Sequence, residues 1–131
     1  MRIPSSREEA RAGARSLAWA RVALGVAAFA LPRLPATPWI GKDASRPSSR
    51  LLSRALGARD VALGLGALVA VSRDLPVRGW LEAGGLADAG DVAATLLGWE
   101  SAPVLGRWLV LAAAGGGVVA SAVLAPRVDR H

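Results

Sequence analysis

Trp108 to Ala125 reads WLVLAAAGGGVVASAVLA, eighteen residues without a charged side chain, with Pro103 and Arg107 ahead of it and Pro126 behind. At about 1.5 Å per residue a helix of this length nearly crosses the ~30 Å hydrocarbon core of a bilayer. The stretch reads as a transmembrane helix.

Val77 to Trp99 opens just after Pro76, a natural first-turn proline, and has the length of a span although it carries Glu82, Asp88 and Asp91. Ser53 to Ser72 is similar, with Arg59 and Asp60 near its start. Ala12 to Leu31 places Arg15 and Arg21 ahead of the apolar run VALGVAAFAL, and Pro32 stops it. Between the first two segments, residues 32–52 hold Pro32, Pro35, Pro38 and Pro47 among serines and bases, which predicts an extended loop, interfacial through Trp39. The connections at 73–76 and 100–103 are short, as between antiparallel neighbours. The expected fold is all-α: one membrane domain over residues 1–131, a four-helix transmembrane bundle running up-down-up-down, with helices at about 12–31, 53–72, 77–99 and 104–125. Ala28-Phe29-Ala30 has the form of a signal-peptide cleavage site, but the apolar run before it starts only after Arg21, so a retained first helix is expected.

Composition agrees with a lipid-facing chain. Of 131 residues 53% are hydrophobic, the mean hydropathy is +0.37, and Asn, Gln, Tyr and Cys are absent. Without cysteine there is no disulfide, thiolate nucleophile, iron–sulfur centre or cysteine-zinc site, and His131, the lone histidine, sits at the end of the sequence, so no metal site and no cofactor is expected. The net charge of +6 resides mainly in the tails and the first long loop, where membrane proteins place it, so anionic head groups rather than nucleic acid are the expected counter-charge. Arg2, Arg7, Arg11, Arg15, Arg73, Arg78, Arg127 and Arg130 fall on the side of the termini, against Arg33, Lys42, Arg46, Arg50, Arg54 and Arg107 on the other. That majority predicts an inner-membrane protein with both termini cytoplasmic.

The charges within the segments carry the functional reading. Laid across a bilayer, Arg21 falls about 15 Å from the first-loop side, Asp60 about 10 Å deep with Arg59 beside it, and Asp91 and Asp88 at similar depth. Three- and four-residue steps put Arg21 on a face with Ala14, Ala18, Gly25 and Ala28, Asp60 with Ser53, Gly57 and Gly64, and Asp88 and Asp91 with Gly84, Thr95 and Gly98. The charged faces are the small-residue faces, through which helices in lipid approach closely. A lipid-facing charge costs roughly 2.5 to 3.5 kcal/mol even on a lenient scale, so Arg21, Arg59, Asp60, Asp88 and Asp91 are expected to meet in one polar pocket open toward the first loop. Two readings follow: ion pairs that fix helix register, or a ligand-binding site in which Asp60, Asp88 or Asp91 is a candidate catalytic acid or base.

Other features have plainer readings. Asp88-x-x-Asp91 lacks the second acidic motif of a diphosphate-magnesium site, and Gly115-Gly116-Gly117 lacks the lysine and serine of a phosphate loop and reads as close packing. The five tryptophans read mostly as interfacial anchors, Trp19 least clearly.

RALGARDVALGLG at Arg54–Gly66 followed by WLEAGGLADAGDVAATL at Trp80–Leu96 resembles small four-helix membrane proteins of actinobacteria, and the general architecture is similar to DoxX-like bundles. The resemblance implies an architecture and no activity. The expected role is that of an accessory subunit of a membrane complex, hence with a membrane-protein partner, or a binder of a lipid-like small molecule. The alternative is a membrane-embedded acid/base enzyme, an isomerase or cyclase acting on a hydrophobic metabolite.

Overall fold

The computed structural model describes residues 3–130, so Arg2 and His131 lie outside the described residues. Within them the chain is all-α: α1 (Arg7–Ala30), α2 (Arg33–Ile40), α3 (Pro47–Ser72), α4 (Arg78–Leu97) and α5 (Val104–Leu124), with a 3₁₀ turn at Gly41–Ser45 after α2.

Two helices begin earlier than their apolar runs. At the start of α1 the Ser6 hydroxyl accepts from the Glu9 N–H at 3.1 Å, while the Glu9 carboxylate accepts from the Ser5 N–H and hydroxyl at 2.7 and 2.8 Å. This reciprocal cap satisfies N–H groups that a first turn leaves unpaired, and it starts the helix at Arg7 rather than Ala12. Pro47 opens α3 six positions before Ser53 because a first-turn proline needs no N–H partner and has the helical φ already set.

The region expected as an extended loop is mostly helical. Pro35 falls in the first turn of α2, where its missing N–H costs no bond, and α2 with its 3₁₀ continuation bends by 92° from α1. Gly41, at φ +62°, ends α2 in a conformation glycine adopts without steric penalty. Trp39, expected in an extended loop, lies in α2 and donates its indole N–H to the Thr95 hydroxyl at 3.1 Å. The Pro38 carbonyl lies so close to Gly106 that a Cβ there would overlap it.

The four long helices run antiparallel to their chain neighbours. Gly25 and Gly57 bring the α1 and α3 backbones together: a Cβ on either would sit 2.6 Å from the other's carbonyl oxygen. Between α4 and α5, Gly85 faces Ser121 and Gly117 faces the Asp88 carboxylate. The α3–α4 turn is a Schellman motif, with Leu75 N–H on Ala70 O at 2.9 Å, Asp74 N–H on Val71 O at 3.4 Å, and Asp74 in the left-handed position at φ +54°. Both described ends of the chain lie beside this turn, and the apolar core there includes Ala10, Ala14, Val71, Val77, Leu81, Leu124 and Val128.

The outside of the molecule is unusually apolar. Leu86 and Leu97 are 76% and 90% exposed, and Leu24, Val26, Leu65, Leu96, Leu105 and Val119 are also exposed. By length and composition α3 and α5 are able to cross a membrane, as is α1 if it and the bent α2 form one broken span; α4, with its three acids, is not among them.

Candidate functional site

The small-residue faces deliver the charged side chains inward. Ala14, Ala18, Gly25 and Ala28 are buried on α1, Ser53, Gly57, Asp60 and Gly64 on α3, and Gly84, Asp88 and Thr95 on α4. Arg21 reaches from α1 between two helices: its Nη1 donates to Asp60 Oδ1 on α3 at 3.0 Å, and its Nη2 to Asp88 Oδ2 on α4 at 2.5 Å. Arg59 joins the same carboxylate oxygen through Nε and Nη2, at 3.3 and 3.2 Å, and forks onto both oxygens of Asp91 at 3.3 and 3.0 Å. The five side chains form a ladder in the order Asp88, Arg21, Asp60, Arg59, Asp91, alternating in sign and closing with one more acid than base.

Exposure falls along the ladder. Arg59 and Asp91 keep 30% and 22% of their side-chain surface, whereas Arg21, Asp60 and Asp88 keep 10 to 12%. Two glycines make room at the buried end. A Cβ on Gly84 would stand 3.1 Å from Arg21 Nη2, and one on Gly117 would collide with the Asp88 carboxylate. Gly115 and Gly116 have open space where a Cβ would go, so close packing in the triple glycine belongs to Gly117.

A second polar assembly, which the sequence reading did not find, closes the end where the termini lie. Arg11 Nη2 donates to the Ala70 and Val71 carbonyls at 3.2 Å each, adding to the Leu75 and Asp74 N–H groups that these carbonyls accept in the turn after α3. Arg7 and Arg11 pair with Asp74 at 2.8 and 3.3 Å. The Asp129 carboxylate accepts the N–H groups of Val77 and Arg78 at 3.0 and 2.9 Å, and so caps α4 from across the molecule. No sequence-local signal marks Asp129, because its partners are fifty residues away; the Ser6-x-x-Glu9 pattern that starts α1 was a readable one.

Three open clefts lie elsewhere. One of about 430 Å³ is lined by Arg7, Glu8, Arg11 and Arg15; one of about 470 Å³ lies between Leu65 and Trp80; and an open groove of about 670 Å³ lies at the α1–α2 bend. None of these three is lined by a ladder residue. At the α4–α5 end Trp99 and Trp108 meet edge to face at 5.2 Å, with the Arg107 guanidinium 4.6 Å from the centre of the Trp99 ring. Trp19 is 58% exposed partway along α1. Among the described residues no three His, Cys, Asp or Glu side chains gather as a metal site.

Comparisons with known protein families, curated proteins and solved structures find no match.

Proposed function

We propose that the chain is a four-span integral protein of the bacterial inner membrane, with both termini cytoplasmic, in which the Arg/Asp ladder locks the helices together. It acts as an accessory subunit or as a binder of a lipid-like molecule. The observation that carries this reading is the inverted polarity of the helices: leucines and valines face outward while Arg21, Asp60 and Asp88 are nearly enclosed. In water such an exterior is unfavourable by roughly 25 cal/mol per Å² of apolar surface, and in lipid it is the required one. The acids of α4 are compatible with a bilayer once Arg21 and Arg59 partner them, since a paired charge in the bundle interior avoids the cost of facing acyl chains.

A non-catalytic role is favoured because the carboxylates are committed to arginines and the three clefts lie away from them. The odd carboxylate is the one feature that favours acid/base chemistry on a hydrophobic metabolite, since three acids against two bases leave one acid able to hold a proton. Carbonate extraction of membranes from cells making the protein tests the assignment. The protein is expected in the pellet, and release into the supernatant overturns it. Reporter fusions at either end should read cytoplasmic.

A further inference from the structure

The groove at the α1–α2 bend has a composition that the helix-locking ladder does not explain. Its floor is apolar, built from Leu31, Pro32, Leu34 and Pro38, and Leu31 and Leu34 are 60% and 63% exposed. Its rim carries three guanidinium groups: Arg33 on α2, and Arg50 and Arg54 one helical turn apart on α3. Every arginine of the ladder and of the terminal assembly has a carboxylate partner. Around these three, among the described residues, no carboxylate comes within 4.0 Å. The sole acid between Leu31 and Arg59 is Asp43, which pairs with Arg46 at 3.0 Å. Arg54 Nε donates to the Phe29 carbonyl at 3.2 Å, which fastens this side chain to the last turn of α1. Arg33 and Arg50 have no side-chain hydrogen bond among the described residues.

We propose that this groove binds a phosphate-bearing anionic membrane lipid, its phosphate between Arg33, Arg50 and Arg54 and the start of an acyl chain over Leu31, Leu34 and Pro38. The assignment deepens the lipid-binding reading above and rests on the protein being embedded. Guanidinium forks match phosphate oxygens in pairs, and three of them without a protein anion leave a positive site at the end of an apolar helix. A free anion uses the rim alone. A lipid uses the rim and the floor together, and the 92° bend brings the two side by side at the end of α1, where a head group meets its acyl chains.

The experiment is native mass spectrometry of the full chain released from detergent, titrated separately with phosphatidylglycerol, phosphatidylcholine, inorganic phosphate and a polyglutamate peptide. Phosphatidylglycerol should be retained at far lower concentration than the others. The Arg33→Gln/Arg50→Gln double variant should weaken its retention about 30-fold, from roughly 1 kcal/mol per arginine near an anionic surface. Leu34→Gln should weaken phosphatidylglycerol while leaving the weak phosphate adduct unchanged. Arg73→Gln/Arg130→Gln, which removes the same charge at the other end, should leave retention as in the parent chain. Equal retention of phosphatidylcholine, equal loss in the Arg73/Arg130 control, equal retention of inorganic phosphate, or equal binding of polyglutamate each overturns the proposal. Release by carbonate overturns the embedded reading itself, whereas a chain that stays in the pellet but fails the lipid titration overturns the groove alone.

Discussion

The ladder and the terminal assembly both join arginines to aspartates, but they draw their partners from different chemistry. At the ends of helices backbone groups lack their regular helical partners, so Arg11 shares the carbonyls of Ala70 and Val71 with the turn that follows, and Asp129 finds the N–H groups of Val77 and Arg78. Halfway along the bundle the backbone is already bonded to itself. There Arg21 takes one helical carbonyl, that of Gly84, at 3.3 Å, and otherwise depends on carboxylates from two other helices. Charges in mid-helix must therefore be matched side chain to side chain, and Asp88, paired with Arg21 alone, has no nearby substitute.

The largest expected effect tests that difference directly. Arg21→Ala strands Asp88 and leaves Asp60 to Arg59 alone, and should lower the unfolding free energy of the detergent-solubilised protein by about 3 to 5 kcal/mol. Adding Asp60→Asn or Asp88→Asn should restore part of the loss in a double-mutant cycle. Strict additivity there would mean that the ladder is not one coupled unit. Next comes Gly117→Ala, which pushes a methyl group into the Asp88 carboxylate and should cost about 1 to 3 kcal/mol. Gly115→Ala and Gly116→Ala, with open space at the Cβ, should be close to neutral in the same melts. Asp129→Ala removes the cap of α4 and should cost about 1 kcal/mol, since water and neighbouring groups at a helix end replace part of what is lost. A loss as large as that of Arg21→Ala would erase the distinction between the two assemblies.

The smallest effect is at Glu9. Hydrogen bonds from the backbone and then the hydroxyl of Ser5 hold its carboxyl below the ordinary glutamate range. A folded-state value below the unfolded one contributes stability above the unfolded value, and that contribution disappears as pH falls through the folded value. Acid titration of the parent chain should thus show a small loss of stability that is missing in Glu9→Gln, and identical profiles would remove the carboxylate from the start of α1.

The sequence displayed the faces of the helices more clearly than their ends. Ala14, Ala18, Gly25 and Ala28 repeat at helical spacing and are buried, as are Ser53, Gly57 and Gly64, because close helix approach selects small residues wherever it occurs. Helix starts were read from where apolar periodicity begins, and α1 and α3 start in polar sequence, at a capping serine and at a proline. The α2 helix was hidden by Pro35 and Pro38, which read as loop residues although one sits in a first turn and the other is flanked by Thr37 bonding back to Arg33 at 2.7 Å. Meeting of Arg21 with Asp60 and Asp88 followed from depth and face. The capping of α4 by Asp129 did not, since it depends on how α5 returns to the start of α4.

The order of the ladder along the chain bears on how the protein is made. In each pairing across the ladder the arginine is synthesised before its aspartate: Arg21 ahead of Asp60 and Asp88, and Arg59 ahead of Asp60 and Asp91. When α4 leaves the ribosome, its Asp88 and Asp91 follow helices that already hold two arginines and one aspartate, a set with one positive charge in excess. On the four-span reading proposed above, α4, with its three acids, is thus drawn in by the chain made before it, and its entry depends on Arg21 and Arg59 rather than on its own sequence alone.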